Sequence, residues 1–402
     1  MRLFHIATDE EIKTGKTTDI YFTRTMKILK KAKLDKTRVA AEVTTGRLPN
    51  NWEWGILCGI EEETKLLEEY PINVYSMPEG SIFHPITSNG IREPVMVIEG
   101  EYGSFGQLET PLLGLICQAS GIATAAARTK LAAKFKPVYS FGIRRMHPAI
   151  APMIDRAAYI GGLDGVSGVS GAKLIGIKAV GTMPHALIII FGDQREAWKK
   201  FDEIIEPEVP RVALVDTFYD EKTESILAAE TLKDHLYAVR LDTPSSRRGN
   251  MKAIIQEVRW ELDIRGYKNV KIMVSGGLND KKVRELSETN VDAFGVGTSI
   301  ANASTINFAL DIIELNGKPK TKRGKTSGRK QVWRCPKCLT DIALPIENEA
   351  PKCLKCNTQM EPMLRPIIIN GEIVAEKENP TEIRERVIEQ LKKLARLEEE
   401  TK

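Results

Sequence analysis

The chain has 402 residues, of which 42% are hydrophobic and 28% charged, enough for a sizeable core with smaller attached domains. Its formal net charge of +4 is too small to imply a polyanionic partner by itself. No uncharged apolar stretch is long enough to span a membrane, and "MRLFHIATDEE" lacks the apolar core of a secretory signal. We therefore expect a soluble cytoplasmic protein that binds neither a membrane nor nucleic acid.

Residues 1–108 mix two patterns and predict an α+β domain. The run "VMVIEGEY" (95–102) is typical of a strand, whereas "WGILCGIEEETKLLEEY" (54–70) keeps apolar residues on one helical face. Cys58 and, further along, Cys117 lie in apolar runs typical of buried thiols.

Residues 109–317 alternate apolar strand-like runs with amphipathic stretches, a pattern typical of parallel βα units. Four of the runs, "RVALVDTF", "LYAVRLDT", "VKIMVSGG" and "VDAFGVGT", end in Asp, Thr, Ser or Gly. In a parallel β/α barrel such ends meet at one mouth, where active sites lie. Each of these residues alone is common in turns and helix caps, but four ends in series favour a phosphate-binding barrel face.

Two kinds of ligand group lie at these strand ends. Gly276, Gly277 and Gly297 allow the backbone to approach an anion, and the helices expected to follow present unpaired N–H groups to it. Asp216 and Asp242 could hold ribose hydroxyls or a magnesium ion that bridges phosphates.

Two motifs contain further chemically active side chains. "YSFGIRRMHP" (139–148) places an aromatic ring beside two arginines, which suits a flat aromatic carboxylate, although a core phenylalanine with solvated arginines explains the same residues. "GTMPHALIII" (181–190) places His185 between a proline and an apolar run. Taken alone, such a histidine is typical of a hydrogen-bonded structural residue.

The segment 318–332 is predicted to be a basic linker, because the thirteen residues "KPKTKRGKTSGRK" contain seven basic side chains and no acid. Residues 371–402 are predicted to form a helix that packs on the body or on a partner subunit. Asn379 and Glu382 have capping-box spacing at its start.

Between these segments, residues 333–370 contain two Cys-x-x-Cys pairs, "CPKC" and "CLKC". This spacing predicts a zinc site in a reducing compartment. Four protein ligands leave no open position for catalysis, so we interpret the zinc as structural. The predicted ligands are Cys335, Cys338, Cys353 and Cys356.

The motifs together resemble the nicotinate phosphoribosyltransferases, and most closely their archaeal-type members with a C-terminal zinc module. The resemblance covers nearly the whole chain and rests on segments that follow one another in the family's order: "TTDIYF", "MPEGSIFHP", "GQLETPLLGLICQASGIATAAAR", "FGIRR", "GTMPHA", "LVDTFYD", "VRLDTP", "VSGGLN" and "FGVGTS". It implies an α/β fold with an irregular parallel β/α barrel, an N-terminal α+β domain and a small zinc-ribbon-like module.

The implied reaction belongs to NAD biosynthesis. Nicotinate and 5-phosphoribosyl-1-diphosphate give nicotinate mononucleotide and diphosphate, with coupled ATP hydrolysis and Mg²⁺. The resemblance also implies that His185 accepts a phosphoryl group from ATP. The protein would form a homodimer or a larger dimer-based oligomer, with each active site at a subunit interface.

The resemblance implies a role for each matching residue. Nicotinate would be bound by Tyr21 from the neighbouring subunit, Phe141, Arg144, Arg240 and Ser167, with Ser170 as the alternative serine. Asp242 would hold the ribose and Asp216 the magnesium-diphosphate region, while Gly276, Gly277, Gly297 and Thr298 would bind the 5′-phosphate. Arg47, Lys320 and Lys325 are candidates for contacting diphosphate. His147 has no matching role and is interpreted as structural.

Two other functions stay open at this point. Quinolinate phosphoribosyltransferase shares the barrel, but its substrate carries two carboxylates and needs a more cationic ring pocket. A nucleic-acid-binding zinc protein would explain the cysteines and the basic segment. Against it, no aromatic residue that could stack a base lies between Lys318 and Lys330.

Overall fold

A computed structural model describes residues 2–244, 246–247 and 249–400, so the ends of the predicted first and last segments, residues 1, 401 and 402, lie outside it. The strands are β1 Arg38–Thr45, β2 Gly55–Ile56, β3 Ile72–Ser76, β4 Ile82–Phe83, β5 Pro94–Glu101, β6 Val138–Ser140, β7 Gly165–Val166, β8 Arg211–Leu214, β9 Leu236–Leu241, β10 Lys271–Val274, β11 Ala293–Val296, β12 Phe308–Leu315, β13 Lys318–Pro319, β14 Lys330–Arg334, β15 Asp341–Pro345, β16 Glu361–Pro362, β17 Arg365–Ile369 and β18 Glu372–Ile373.

The helices are α1 Asp9–Lys13, α2 Ile20–Ala32, α3 Ile60–Leu67, α4 Tyr102–Phe105, α5 Glu109–Ala132, α6 Ala151–Ile160, α7 Val169–Ile175, α8 His185–Phe191, α9 Gln194–Ile204, α10 Glu221–Leu232, α11 Met251–Ile264, α12 Asp280–Ser287, α13 Thr298–Ala301 and α14 Pro380–Glu400. The stretch from Tyr102 to Ala132 is long and apolar enough to cross a membrane by composition. Its most apolar window is 67% buried inside the protein, as in the core helix of a globular protein.

The chain folds into two compact units, one formed by residues 1–124 with 304–402 and the other by residues 125–303. The second unit is shorter at both ends than the predicted barrel, 109–317. The first half of α5 contributes to the core of the first unit, and β12 pairs with β1 along seven residues. A strand paired along its length belongs to the sheet that it completes, so 304–317 belongs with the N-terminal fold.

The first unit contains a seven-stranded antiparallel sheet in the order β13-β12-β1-β5-β3-β17-β18. All of β1 after its first residue is buried, which fits its place near the middle of this sheet. The apolar residues of β1, β3, β5 and α5 pack into one core that also includes Ile306, Val332 and Ile368. The predicted α+β character of this part is confirmed.

The second unit contains a six-stranded parallel sheet in the order β7-β6-β11-β10-β9-β8. The sheet curls into a half-barrel whose edge strands are β7 and β8. Its strands are short apolar runs such as "RVAL" and "KIMV", as expected where helices cover a parallel sheet. Because all six strands run the same way, their carboxyl ends lie along one edge.

The basic segment differs from the flexible linker that its composition predicts. Lys325 makes an ion pair with Asp311 at 2.5 Å, and Lys330 makes a buried ion pair with Glu42 at 2.8 Å. Arg329 pairs with Glu99 at 2.8 Å. Acids that are distant in the sequence therefore neutralise these cations, and only the folded sheet brings the two sets together.

The cysteine module is a three-stranded sheet in the order β15-β14-β16. The next strand, β17, joins the large sheet beside β3, so the module ends before the predicted residue 370. Helix α14 begins as the spacing predicts: the backbone N–H of Asn379 donates to Glu382, and Asn379 accepts from the N–H of Thr381. The helix packs on the first unit itself, where Gln390 donates to the carbonyl of Gly80.

Candidate active site

The six strand ends bring most of the predicted site residues to one edge of the sheet. Phe141 follows β6, Ser167 follows β7, Asp216 follows β8 by one residue, and Asp242 follows β9 directly. Ser275 to Gly277 follow β10, and Gly297 follows β11. The parallel direction of the strands therefore gathers residues that are up to 156 positions apart, from 141 to 297.

Asp216 and Asp242 form a coupled pair. The Asp216 carboxylate accepts a hydrogen bond from the backbone N–H of Asp242 at 2.9 Å, and Asp242 accepts one from the hydroxyl of Ser275 at 2.7 Å. Burial raises the pKa of Asp216 to about 6, opposed by His185 and reinforced by the negative charge of Asp242. The site therefore holds two close carboxylates with little compensation for the more buried one.

His185 is the first residue of α8, and its imidazole lies against this pair. Its Nε2 is 3.8 Å from Asp216 Oδ1 and 3.7 Å from Asp242 Oδ2. Its Nδ1 lies 3.1 Å from the hydroxyl of Thr217. The side chain is 36% exposed, so a ligand can reach the ring. The position after the proline of "GTMPHA" thus places the histidine at the start of a helix beside the carboxylates.

The donor set fits a magnesium ion. Asp216 Oδ1 is buried and has no hydrogen-bond partner among the described residues. A buried carboxylate oxygen without a partner is costly, and a hard divalent cation is the kind of ligand that satisfies it. Asp242 Oδ2 offers a second oxygen next to His185. These two side chains would hold the ion.

The tandem glycines form the turn that their sequence predicts. Gly276 and Gly277 have φ of +83° and +59°, backbone conformations that favour glycine. Ser299, on α13, donates to the carbonyl of Leu278 at 2.8 Å and so ties the turn after β10 to the start of α13 at Thr298. Two adjacent backbone turns without bulky side chains are suited to a phosphate.

Two arginines, Arg240 and Arg144, lie close enough at this edge for their charges to interact. Arg240 is 11% exposed, and its Nε has no partner among the described residues. One of its terminal nitrogens donates to the carbonyl of Met183 at 3.2 Å. Burial lowers the pKa of Arg240, opposed by Asp242 and Asp216, and the positive charge of Arg144 lowers it further. An anion between Arg144 and Arg240 would relieve this repulsion.

The ring of Phe141 lies against the strand end of β11. A Cβ on Gly295 would be 2.6 Å from the Phe141 ring, so this glycine makes room for the aromatic side chain. The backbone N–H of Ser167 donates to the carbonyl of Ser140, one residue before Phe141. Ser167 is half-buried, whereas the alternative Ser170 is exposed on α7. Ser167 is therefore the serine that is tied to the Phe141 strand end.

Four predicted residues lie in the first unit. Tyr21 is 56% exposed on α2, Arg47 is exposed after β1, and Lys320 is exposed after β13. Lys325 differs from the other two basic residues because its ammonium already contacts Asp311 and the hydroxyl of Thr44.

His147 has a local role. Its Nδ1 accepts a hydrogen bond from the backbone N–H of Ala149 at 3.1 Å and so caps the short 3₁₀ turn Pro148–Ile150. Three residues that contact or support the group formed by His185, Asp216 and Asp242 have no role implied by the sequence motifs: Thr217, Ser275 and Glu224. The first two stand at strand ends, which was the available signal, whereas nothing in the sequence distinguishes Glu224 from other helical glutamates.

The four cysteines of the ribbon lie together. Their sulfur atoms are 3.2 Å apart between Cys335 and Cys356, 3.6 Å between Cys338 and Cys353, and 3.8 Å between Cys338 and Cys356. These distances exclude disulfides, and a tetrahedral ion about 2.3 Å from each sulfur needs a spacing of roughly 3.8 Å. The cluster can therefore hold a metal ion.

A second group, His84, Glu93 and Asp341, is also close enough to hold a metal. Arg334 already occupies it, with a bidentate contact to Asp341 at 2.8 and 2.6 Å. Burial alone would lower the pKa of His84, but hydrogen bonds to Asp341 and Glu93 raise it to about 9. We interpret this group as an ion-pair network that connects the ribbon strands to the body of the first unit.

Comparisons with known proteins identify the family to which this fold belongs. A family model described as "Quinolinate phosphoribosyl transferase, C-terminal domain" matches residues 122–311, and the corresponding N-terminal model matches residues 19–120. Together they match more than half of the chain, so its fold and strand-end site define a phosphoribosyltransferase of this type.

Individual proteins narrow the class. A solved structure of nicotinate-nucleotide pyrophosphorylase from Pyrococcus furiosus is 63% identical, with a TM-score of 0.94, over 98% of this chain and 99% of that one. A nicotinate phosphoribosyltransferase of Mycobacterium tuberculosis is 27% identical over 371 residues, which cover 83% of this chain and 81% of that protein. The human nicotinic acid phosphoribosyltransferase, 18% identical with a TM-score of 0.75, shares the fold. The chain belongs to the nicotinate phosphoribosyltransferase family.

Proposed function

We propose that this protein transfers the phosphoribosyl group of 5-phosphoribosyl-1-diphosphate to nicotinate, giving nicotinate mononucleotide and diphosphate for NAD biosynthesis. The observation that carries the substrate assignment is the buried Nε of Arg240, unpartnered among the described residues and next to Arg144. One carboxylate would be bound between these two cations. Phe141, which follows β6 and precedes Arg144 by three residues, would supply a face for the pyridine ring.

The transfer is a displacement at the anomeric carbon. The pyridine nitrogen attacks as diphosphate leaves, through a state with oxocarbenium character. The turns at Gly276, Gly277 and Thr298 would hold the 5′-phosphate, and Asp242 the ribose. Asp216 and Asp242 would bind Mg²⁺, which neutralises charge on the leaving diphosphate. Catalysis then depends on alignment and electrostatics rather than on acid–base chemistry.

We propose that ATP hydrolysis is coupled to this transfer through a phosphohistidine at His185. Neutral imidazole is a nucleophile near pH 7, and the exposed edge of His185 beside two carboxylates suits a Mg²⁺-bound phosphoryl donor. His185→Ala should therefore keep a slow transferase activity and lose its stimulation by ATP. Stimulation equal to that of the wild type would contradict this role.

Substrate choice follows from the same pocket. A serine at 167 can donate to a carboxylate, whereas a carboxylate at that position would repel nicotinate and accept from an amide. The decisive assay measures mononucleotide formation with Mg²⁺ from nicotinate, nicotinamide or quinolinate, each with and without ATP. We expect turnover of nicotinate alone, accelerated by ATP. Turnover of quinolinate with release of carbon dioxide would overturn the assignment and favour the function named in the family model.

The ion pairs of the basic segment weigh against a nucleic-acid-binding function. Lys325, Arg329 and Lys330 are each paired with an acid of the first unit. Cations that are already paired release few counterions on binding a polyanion. We therefore propose that the protein has no nucleic-acid partner. We also propose a cytoplasmic location.

The remaining proposals concern the assembly and the metal. We propose a homodimer, or a larger oligomer built from it, in which the exposed Tyr21 of one subunit covers the pyridine in the other. Mixed dimers of Tyr21→Ala and Asp242→Ala subunits should then recover about a quarter of the wild-type rate, because half the dimers contain one intact site. Recovery of no activity would contradict a shared site.

Two proposals concern other ligands. Arg47 and Lys320 are proposed to contact diphosphate, and Zn²⁺ is the proposed ion of the four-cysteine cluster.

A further inference from the structure

Glu224 is fully buried on α10, and its carboxylate accepts hydrogen bonds from three successive backbone N–H groups of the loop after β8. The N–H of Thr217 donates to Oε2 at 3.0 Å, and those of Phe218 and Tyr219 donate to Oε1 at 2.7 and 2.9 Å. Charge-assisted bonds of this kind are stronger than neutral ones. The carboxylate therefore fixes three consecutive residues at the mouth of the sheet.

Side-chain packing does little to hold this loop. Phe218 is 45% exposed and Tyr219 is 61% exposed, so neither ring is anchored in a core. Asp220, which follows them, caps the start of α10 by accepting from the N–H of Thr223 at 2.9 Å. The conformation between Asp216 and Asp220 consequently depends on Glu224.

The loop positions the hydroxyl of Thr217, which lies 3.1 Å from His185 Nδ1. The other ring nitrogen, Nε2, is 3.7 to 3.8 Å from the carboxylates of Asp216 and Asp242, beyond hydrogen-bond distance. In a neutral imidazole only one nitrogen carries the proton, and the Thr217 hydroxyl can either accept from Nδ1–H or donate to an unprotonated Nδ1. If Nδ1–H donates to Thr217, then Nε2 keeps its lone pair and faces the proposed Mg²⁺ site.

We propose that Glu224 is a positioning residue which, through Thr217, holds His185 in the Nδ1–H tautomer and leaves Nε2 as the phosphoryl acceptor. This inference rests on the proposed phosphohistidine. In the step, the Nε2 lone pair forms a bond to the γ-phosphorus of ATP. The bond from that phosphorus to the bridging oxygen breaks, and ADP leaves with the electron pair. The proton stays on Nδ1, where Thr217 stabilises the charge that the ring gains.

The test measures two rates in the full-length protein: phosphoryl transfer from [γ-³²P]ATP to the enzyme, and mononucleotide formation without ATP. The variants are Glu224→Gln, Thr217→Val and Thr217→Ser. Glu230→Gln is the matched control, because Glu230 is an exposed glutamate on the same helix. We expect Glu224→Gln and Thr217→Val to slow labelling by about tenfold or more, the effect of a misplaced reacting group, with a smaller loss of ATP-independent transfer.

Thr217→Ser restores an acceptor at the same position and should recover most of the labelling rate, which a merely structural defect would not allow. ¹⁵N spectra of histidine-labelled protein should show the Nδ1–H tautomer of His185 in the wild type and its loss in Thr217→Val. Because Thr217→Val removes a single hydroxyl, it carries the test if Glu224→Gln does not fold. Labelling of Thr217→Val at the wild-type rate, or an unchanged tautomer, would overturn the inference.

Different results would refute the phosphohistidine at His185 and the positioning role of Glu224 and Thr217. If the wild type takes up no label, or if His185→Ala takes up as much as the wild type, the phosphohistidine itself is refuted and the inference with it. If the wild type is labelled at His185 and Thr217→Val matches it, only the role of Glu224 and Thr217 is refuted.

Discussion

The clearest test of the folded core concerns Glu63, a carboxylic acid inside the first unit. It lies on α3 and is fully buried, and neither of its oxygens has a hydrogen-bond partner among the described residues. Burial raises the pKa of Glu63 well above its ordinary value, and the negative charge of Glu62 adds to the rise. The folded protein therefore keeps the proton of Glu63 to a higher pH than the unfolded chain does.

The sign of the pH dependence follows from this difference. Since the folded pKa of Glu63 is the higher one, its contribution is fully favourable below the unfolded pKa of about 4.5 and is lost as pH rises towards the folded pKa. The loss amounts to about 1.4 kcal/mol for each pH unit in that window.

Glu63→Gln has nearly the same shape and does not titrate, so relative to the wild type it should gain about 1.4 kcal/mol for each pH unit between the unfolded and the folded pKa of Glu63. The measurement is guanidinium unfolding of both proteins at pH 5.5, 6.5 and 7.5. Glu62→Gln is the charge control, because it removes a charge from the exposed neighbouring position of the same helix while burial, the larger cause of the raised pKa of Glu63, is unchanged. A difference between Glu63→Gln and the wild type that stays constant with pH would refute the reasoning, since the carboxyl group would then be solvated in the fold.

Three further outcomes are expected. Gly171→Ala should displace the first turn of α7 and weaken nicotinate binding, because the new Cβ would lie 2.5 Å from Asp155. Gly114→Ala, in an open helical position, should be neutral or stabilising by about 1 kcal/mol, and calorimetry and KM measurements compare the two variants. Cys353→Ser should reduce the bound metal from about one ion per chain towards none and lower the unfolding temperature, and elemental analysis that finds full occupancy would contradict the cluster. The pKa of His84 is raised to about 9, so its charged form stabilises the fold fully below pH 6.5 and progressively less as pH rises through 9. The unfolding midpoint of the wild type should therefore fall between pH 7 and 10, and His84→Gln should abolish this fall.

Much of the site follows from local sequence. The apolar runs that end in Asp216, Asp242, Gly276 and Gly297 predict parallel strands, and parallel strands must present those ends at one edge. Gly276 and Gly277 have the positive φ that tandem glycines favour. The four-cysteine cluster and the cap of α14 follow from spacings of two and three residues, over which local geometry dominates. Each of these predictions depends on residues that are close together in the sequence or on a pattern that recurs along the chain.

The features that sequence alone did not determine depend on pairing between distant residues. The composition of the basic segment predicts a flexible linker. In the folded protein the antiparallel sheet places Glu42, Glu99 and Asp311 beside this segment, where they form ion pairs with its cations. The sequence pattern predicts that β12 belongs to the barrel. Its pairing with β1 along seven residues instead makes it part of the first unit.

The sequence by itself determined the family, the residues at the strand ends and the clustering of the four cysteines, because these depend on residue type and short spacing. Only the tertiary structure decided that Glu224 holds the Thr217 loop and that the ring of His185 lies between Thr217 and two carboxylates. It also decided that Lys325 is already neutralised. The physical reason is common to all three: hydrogen bonds and ion pairs depend on distances of a few ångströms between side chains, and folding sets these distances.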